Sequence, residues 1–320
     1  MELSDIKALG NGAHSMLRGT VPGRILYIDG DCLAYSCGGG EDSSPASARY
    51  NANQVIRNLL TASGAETYKI LLTGSGGHKG HRYAVARTKP YQGQRVSGTK
   101  PPQWWYLRQL LETGALGEFL LDFDREADDR FGQFGWTDPE NTVICTADKD
   151  MRMIPGHHLG WRDLSMFYLP PDTYSKVFND KQYGWKWFWL QMLHGDTADN
   201  IPGLPLAYGK KCGEVTAGKL LRGTQSNEDA VEVVRQAYES CYGDSWAVNL
   251  SEQACLLWMR SSSDACWEEA IRPGGPLKLL WEAESDAMRQ AFRELSGRVQ
   301  LAKDINDLAA KAIAAGSVEG

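Results

Sequence analysis

Four short acidic groups stand out in the 320-residue sequence: Asp29; Glu126-Ala127-Asp128-Asp129; Asp148-Lys149-Asp150; and the pair Asp196 and Asp199. Carboxylates are hard oxygen donors. Gathered without His or Cys at ligand spacing, they fit Mg²⁺, with Mn²⁺ as a substitute, better than zinc. So many like charges in one place either hold some carboxyls protonated or require cations. Two such ions about 4 Å apart can activate a water and stabilise a leaving oxygen, which is the chemistry of phosphodiester hydrolysis. Each group alone is weak, because short acidic pairs are commonly solvated surface. Their joint arrangement carries the weight.

The order of elements is what would bring these acids together. Short apolar runs at Arg24–Ile28, Lys69–Thr73, Phe119–Phe123 and Thr142–Thr146 predict strands, with helices at Ala52–Thr61 and Trp104–Thr113 between them. That alternation predicts an α/β fold with a doubly wound, largely parallel sheet. Asp29 follows the first strand, the Glu126 group the third and the Asp148 group the fourth. In such sheets ligands bind beyond the carboxyl ends of the strands, so three separate segments deliver acids to one edge. Asp196 and Asp199, spaced i, i+3, share a face if their segment is helical. The run Trp185-Lys186-Trp187-Phe188-Trp189 is apolar almost all round, which favours a buried helix leading to them over a base-stacking surface. Beyond Ile201 strand signals fade. Asp229–Tyr242, Ser251–Arg260 and Ala283–Ala315 read as helices, with a hinge or turn at Arg272-Pro273-Gly274-Gly275-Pro276. The expected division is an α/β domain over residues 1–200 and a helical region over 201–320, packed as one composite domain.

The cations are segregated from the acids. From Thr67 to Leu111 there is no Asp or Glu, yet the segment holds Lys69, Lys79, Arg82, Arg87, Lys89, Arg95, Lys100 and Arg108. It is also rich in Gly, Pro and aromatic residues, which predicts a long exposed excursion over about 74–103. Basic charge interleaved with rings suits a nucleic-acid strand, and Lys79, Arg87 and Lys100 are candidates for DNA contacts. A plain solvated face is the alternative. Trp104-Trp105-Tyr106 reads both ways, as a stacking surface or as a face buried with Leu107, Leu110 and Leu111. The formal net charge of −6, from 34 Lys+Arg and 40 Asp+Glu, argues against binding nucleic acid through total charge, though not against a local basic groove. No apolar run approaches the length of a membrane span, and the N-terminus lacks the pattern of a signal peptide. Seven cysteines without regular spacing argue against a disulfide framework, so a cytoplasmic setting is expected.

These residues resemble the flap endonuclease/5′-nuclease family, especially its phage 5′–3′ exonucleases. The matching segments are Ile25-Leu26-Tyr27-Ile28-Asp29-Gly30, Tyr91-Gln92-Gly93-Gln94-Arg95, Glu126-Ala127-Asp128-Asp129, Cys145-Thr146-Ala147-Asp148-Lys149-Asp150 and His194-Gly195-Asp196-Thr197-Ala198-Asp199-Asn200-Ile201-Pro202-Gly203. Their order and spacing match from about Arg24 to Leu221, and the last is the most specific. The resemblance implies that Asp29, Glu126, Asp128 and Asp129 surround a first metal, and Asp148, Asp150, Asp196 and Asp199 a second, with some sharing. It implies that the basic excursion is the family's arch for a single-stranded 5′ end, with Arg82, Lys89 and Arg95 holding the scissile phosphate and its neighbours. It implies a duplex-gripping helix-turn-helix element over Ile201 to Leu221, with Gly203, Gly209, Lys210, Lys211 and Gly213, and a K⁺ site there. The expected substrates are 5′ flaps, nicked or duplex 5′ ends and RNA–DNA hybrids, in replication, primer removal or repair beside replication proteins. If the chain is phage-encoded, the setting is the host cytoplasm. The sequence also departs from the family. The acid usual after the second strand is replaced by Thr73-Gly74-Ser75-Gly76, leaving the first metal less tightly held or Asp31 to compensate. Gln92 stands where the arch lysine is expected, with Lys89 three residues earlier as a substitute. Gly203 and Gly209-Lys210 are further apart than is usual in the duplex-gripping element.

Other readings of single motifs are weaker. Gly74-Ser75-Gly76-Gly77-His78-Lys79-Gly80 misses the spacing of a phosphate loop. His157-His158 has no partner at zinc spacing, so a surface or turn role is expected. Cys32 and Cys145 read as inert neighbours of site acids. Two competing functions remain open. Asp29-Gly30-Asp31 resembles the nucleophile motif of haloacid-dehalogenase-like phosphatases, without its Thr. A DNA-structure-binding protein on a decayed nuclease fold would account for the missing acid and for Gln92.

Overall fold

A computed structural model of the chain describes residues 19–94, 99–205, 211–260, 275–281 and 285–316. In chain order the elements are β1 (Val21–Asp29), α1 (Gly30–Cys37), α2 (Pro45–Ser63), β2 (Ala65–Thr73), α3 (Arg82–Val85), α4 (Trp104–Glu112), β3 (Phe119–Asp122), α5 (Ala127–Thr137), β4 (Thr142–Cys145), β5 (Gly156–Leu159) and β6 (Met166–Leu169). They continue with β7 (Lys176–Phe178), β8 (Lys181–Tyr183), α6 (Trp185–His194), α7 (Glu214–Leu220), α8 (Asn227–Tyr242), α9 (Trp246–Leu257), α10 (Pro276–Trp281) and α11 (Asp286–Gly316). The chain divides into two compact units, Met1–Ser75 with Ser97–Thr173, and Gly76–Val96 with Tyr174–Gly320.

The first unit is a mixed, mostly parallel six-stranded sheet in the order β3-β2-β1-β4-β5-β6, with only β6 antiparallel. Its central strand β1 pairs in parallel with β2 (Ile28 opposite Ile70) and with β4 (Ile28 opposite Cys145). The apolar runs are continuous rather than alternating because helices cover both faces of a parallel sheet. Leu26, Ile28, Ile70 and Val143 are fully buried among Leu33, Ile56, Leu59 and Leu107. The chain winds from β1 through β2 to β3 on one side, then returns to β4 on the other. The strand order therefore reverses between β1 and β4, where open α/β sheets place their ligand crevice.

Local signals explain the element ends. Ser44 caps α2 by accepting from Ser47 N, Pro45 opens the helix, and Gly64 closes it at φ 63°, in the left-handed region. The helix therefore starts well before the expected Ala52. The expectation stopped short because Asn and Ser dilute the apolar period in its first turns. β5 (Gly-His-His-Leu) carries too few apolar residues to announce itself, and β6 (Met-Phe-Tyr-Leu) is only four residues long. His157 and His158 lie on β5, not in a turn. His158 is buried, donates from Nε2 to Ile154 O (2.8 Å) and stacks on Phe167. Burial pushes its pKa down to about 4, opposed by the Ile154 hydrogen bond. The unfolded chain binds this proton below pH 6.5 and the folded chain refuses it until about pH 4. Stability should thus fall by about 3 kcal/mol between those values through this residue alone. Urea unfolding of the parent and His158→Gln at pH 7 and pH 4.5 measures it. A parent that loses no more than the variant on acidification contradicts the assignment.

The second unit is helical apart from the β7–β8 hairpin. α6 is buried all round, with Trp187, Phe188, Trp189 and Leu193 at most 1% exposed, as its composition predicts. The stretch 76–94 differs from the expected exposed excursion. Val85 and Tyr91 are buried, and the Glu252 carboxylate accepts from Arg87 N and Thr88 N (2.9 and 2.8 Å). Gly80 lies at φ 64°, and a β-carbon there would meet the Arg260 guanidinium, which donates to Gly80 O. Two buried arginines tie the acid-free segment down, Arg82 by donating out of it to Leu256 O and Trp258 O and Arg260 by donating into it at Gly80 O. No helix among the described residues is long and apolar enough to cross a membrane.

Candidate metal centre

Within the first unit, the acids converge at the carboxyl ends of β1 and β4 because each one begins a helical segment. Asp29 ends β1 and caps α1, accepting at Oδ1 from Cys32 N (2.9 Å). Its Oδ2 accepts from Thr146 Oγ1 (2.6 Å) and from the Cys32 thiol (3.0 Å). Burial first, then the Asp29 charge, raises the Cys32 pKa, so this thiol stays protonated and donates. Glu126 caps α5 in a reciprocal box: its carboxylate accepts from Asp129 N, and Asp129 Oδ2 accepts from Glu126 N (3.3 Å). Asp148 caps the single turn Lys149–Met153, accepting from Asp150 N (2.8 Å), while its own N–H donates to Thr146 Oγ1 (2.9 Å). Lys149 Nζ lies 3.1 Å from Asp150 Oδ1.

Asp128 stands in the first turn of α5, facing this group. Its pKa is pushed well above the carboxylate range, by burial first and then by the charges of Asp148, Glu126, Asp29 and Asp150. The charges of carboxylates from three chain segments therefore reach Asp128. The donor set is entirely oxygen, and the repulsion it generates is what divalent cations would relieve, so the residues present fit hard divalent ions.

Thr73 ends β2 and opens the segment Thr73-Gly74-Ser75-Gly76. Its hydroxyl accepts from Ala127 N (2.9 Å) and its carbonyl from Arg108 Nη2 (2.5 Å), which ties β2 to the start of α5 and the middle of α4. Arg108 also holds Asp31 Oδ1 (2.7 Å) and Glu112 (2.6 Å). Asp31 thus balances a buried guanidinium, and its compensating role at the metal loses support. Asp122 is likewise committed, accepting from Arg130 Nε and Nη2 (2.8 and 2.7 Å). Sequence reasoning missed Thr73, Thr146 and Arg108 as supports. The available signal was position, since Thr73 is the last residue of β2 and Thr146 the first past β4.

In the second unit, Asp196 and Asp199 lie on a tight loop after α6, not on a helix. Asp196 exchanges backbone hydrogen bonds with Ile201 (2.9 and 2.7 Å), and its Oδ1 accepts from Ala198 N (2.8 Å). The Gly195 turn into this loop needs Gly203. At φ 65°, a β-carbon on Gly203 would sit 2.3 Å from Gly195 N. Gly203 N donates to Gln253 and its carbonyl accepts from Tyr242, so its polar groups are engaged internally rather than presented to a duplex. Asp199 Oδ2 accepts from Tyr91 OH (3.1 Å) and Oδ1 from Gln92 Nε2 (2.9 Å). Gln92 Oε1 in turn accepts from Lys79 Nζ. An ammonium is thereby linked to Asp199 through the amide at position 92.

The other expected contacts divide. Arg82 is wholly buried, donating to Leu256 O (3.4 Å) and Trp258 O (3.2 Å) as well as to Lys79 O, so it offers no charge to a phosphate. Arg87, Lys89 and Lys211 are exposed. Lys100 lies in the first unit, its Nζ 3.5 Å from the Trp104 ring centroid. Arg95, Gly209 and Lys210 fall outside the described residues.

No protein-family model matches the chain, and no curated protein sequence does. Solved structures do. Bacteriophage T5 flap endonuclease, in a pseudo-enzyme-product complex with DNA and metal ions, is 15% identical with a TM-score of 0.55, over 87% of this chain and 99% of that one. The T5 5′-exonuclease with bound zinc is 15% identical with a TM-score of 0.54, over 86% and 99%. The T5 D15 protein co-crystallised with metal ions is 15% identical with a TM-score of 0.52, over the same shares. The chain thus has the fold of the phage T5 5′-nuclease structures across most of its length.

Proposed function

We propose that this chain is a structure-selective 5′ nuclease, a 5′–3′ exonuclease or flap endonuclease that hydrolyses DNA phosphodiesters with two divalent ions, Mg²⁺ foremost. The observation that carries this is the set of carboxylates that begin helical segments at the carboxyl ends of β1 and β4, whose charges add to burial in raising the Asp128 pKa, on a fold shared with 5′-nuclease structures. The relatives' DNA and metal ligands support the same substrate class.

Asp29, Glu126, Asp128, Asp129, Asp148 and Asp150 would hold the ions from the first unit. On the motif alone, Asp196 and Asp199 serve the same reaction. When bound, the ions supply Lewis acidity at the scissile phosphate and lower the pKa of the attacking water. The chain's own residues orient the donors. Thr146 and Cys32 fix the Asp29 carboxylate, and the Glu126–Asp129 box fixes the turn that bears Asp128. Lys79, Arg87, Lys89 and Lys100 are the cations proposed to meet the DNA backbone.

The test is a panel of 5′-labelled flap, nicked, gapped, blunt and RNA–DNA substrates, in Mg²⁺ and in EDTA. Cleavage of 5′ structures in Mg²⁺, leaving 5′-phosphates and absent in EDTA, is the expected result. Binding without cleavage in either Mg²⁺ or Mn²⁺ would favour the decayed-nuclease reading. Turnover of p-nitrophenyl phosphate without flap cleavage would favour a phosphatase.

A further inference from the structure

The three aromatic residues at the start of α4 part company in the fold. Trp104 is buried, 6% exposed, and packs its ring against the sheet-side core. Trp105 points the other way and is 68% exposed. The two indoles meet edge to face, with centroids 4.7 Å apart at 89°. Lys100 Nζ sits over both, 3.5 Å from the Trp104 centroid and 4.1 Å from that of Trp105. An exposed indole with an ammonium at its face offers a nucleotide both things it needs, a π surface for the base and a cation for its phosphate.

We propose that Trp105 and Lys100 form a stacking subsite for one unpaired nucleotide of single-stranded DNA, outside the metal centre. This rests on the nuclease reading and adds to it a contact for the single-stranded part of the substrate. Two observations favour this occupant. The site is held rigid: Gln103 N donates to Gly38 O (3.0 Å), Gln103 Nε2 donates to Ser43 O (2.7 Å), and Pro101 packs on Gly38, where a β-carbon would lie 2.5 Å from the proline ring. A pre-ordered ring loses little entropy on stacking. The site also lies within the acid-free stretch from Thr67 to Leu111, so a phosphate meets no carboxylate from its own segment.

The experiment is fluorescence anisotropy in EDTA with the full chain, using labelled ten-residue oligo(dT) and a blunt hairpin duplex. Trp105→Ala should weaken oligo(dT) binding about tenfold to a hundredfold, the worth of one base on an aromatic ring. It should change duplex binding by less than about twofold, and Trp105→Phe should restore most of the loss. Lys100→Ala should flatten the salt dependence of oligo(dT) affinity by about 0.7 in log–log slope, the share of one phosphate on a single strand. Equal oligo(dT) affinity in the parent and Trp105→Ala, no oligo(dT) binding by the parent, or equal losses on oligo(dT) and duplex would each overturn the subsite. Flap cleavage in Mg²⁺ separates the two readings. A parent that binds oligo(dT) through Trp105 but cleaves no flap refutes the nuclease and leaves the subsite standing. A parent that cleaves flaps but whose oligo(dT) affinity ignores Trp105 refutes the subsite alone.

Discussion

Asp128→Asn should abolish metal-dependent cleavage while making the metal-free protein more stable. The first effect follows from removing a donor at the point where the unit's negative charge is concentrated. A loss of about a thousandfold in kcat, or about 4 kcal/mol of transition-state stabilisation, is expected. The second effect distinguishes this site from an ordinary acidic surface. The folded-state pKa of Asp128 is raised, so the folded protein binds its proton more tightly than the unfolded chain does. Its contribution is therefore most favourable at low pH and is lost as pH rises from the ordinary carboxylate range through the raised value. At neutral pH in EDTA the parent carries that repulsion and the asparagine variant does not. Thermal unfolding in EDTA should give the variant the higher Tm, whereas excess Mg²⁺ should raise the Tm of the parent alone. A variant that is less stable than the parent in EDTA, or that cleaves at the parental rate, would mean Asp128 stands outside the metal centre.

Arg82→Ala is expected to act through stability. Its guanidinium is fully buried and donates to carbonyls of Leu256 and Trp258 from a short helix in the second unit. Truncation strands those acceptors and opens a cavity, so a loss of about 3–5 kcal/mol is expected. Urea unfolding followed by tryptophan fluorescence should show the midpoint fall, with DNA affinity unchanged in the fraction that remains folded. A variant of parental stability that has lost only phosphate-dependent cleavage would restore the reading drawn from sequence.

That contrast shows where sequence legibility ends. The strands at Arg24–Ile28 and Thr142–Thr146 and the acids that follow them were readable because apolar period and chain order are local properties. The parallel-sheet rule then puts those acids on one edge. The fate of Arg82 is not local. Its carbonyl partners lie some 175 positions downstream, at the end of a helix whose packing no spacing rule announces. Thr73 was invisible for the opposite reason. Reading for a missing carboxylate draws attention away from a hydroxyl that links β2 to α5 instead. Trp104 and Trp105 show a third limit, since adjacent residues on a helix face different surroundings and only the packed structure says which ring is outside.

The capping roles of Asp29, Glu126 and Asp148 bear on the order of events in this molecule's life. Each carboxylate is fixed by an amide at the start of its own segment. The helix starts at α1 and α5 each contribute about half a positive charge toward the crevice. The cradle is therefore assembled by the backbone itself, with a built-in fraction of countercharge, before any ion arrives. Unlike a zinc finger, which gains its shape from its metal, a chain of the proposed kind would fold first and load afterwards. Its occupancy would then follow the free ion concentration of its surroundings, with ions exchanged on a finished scaffold.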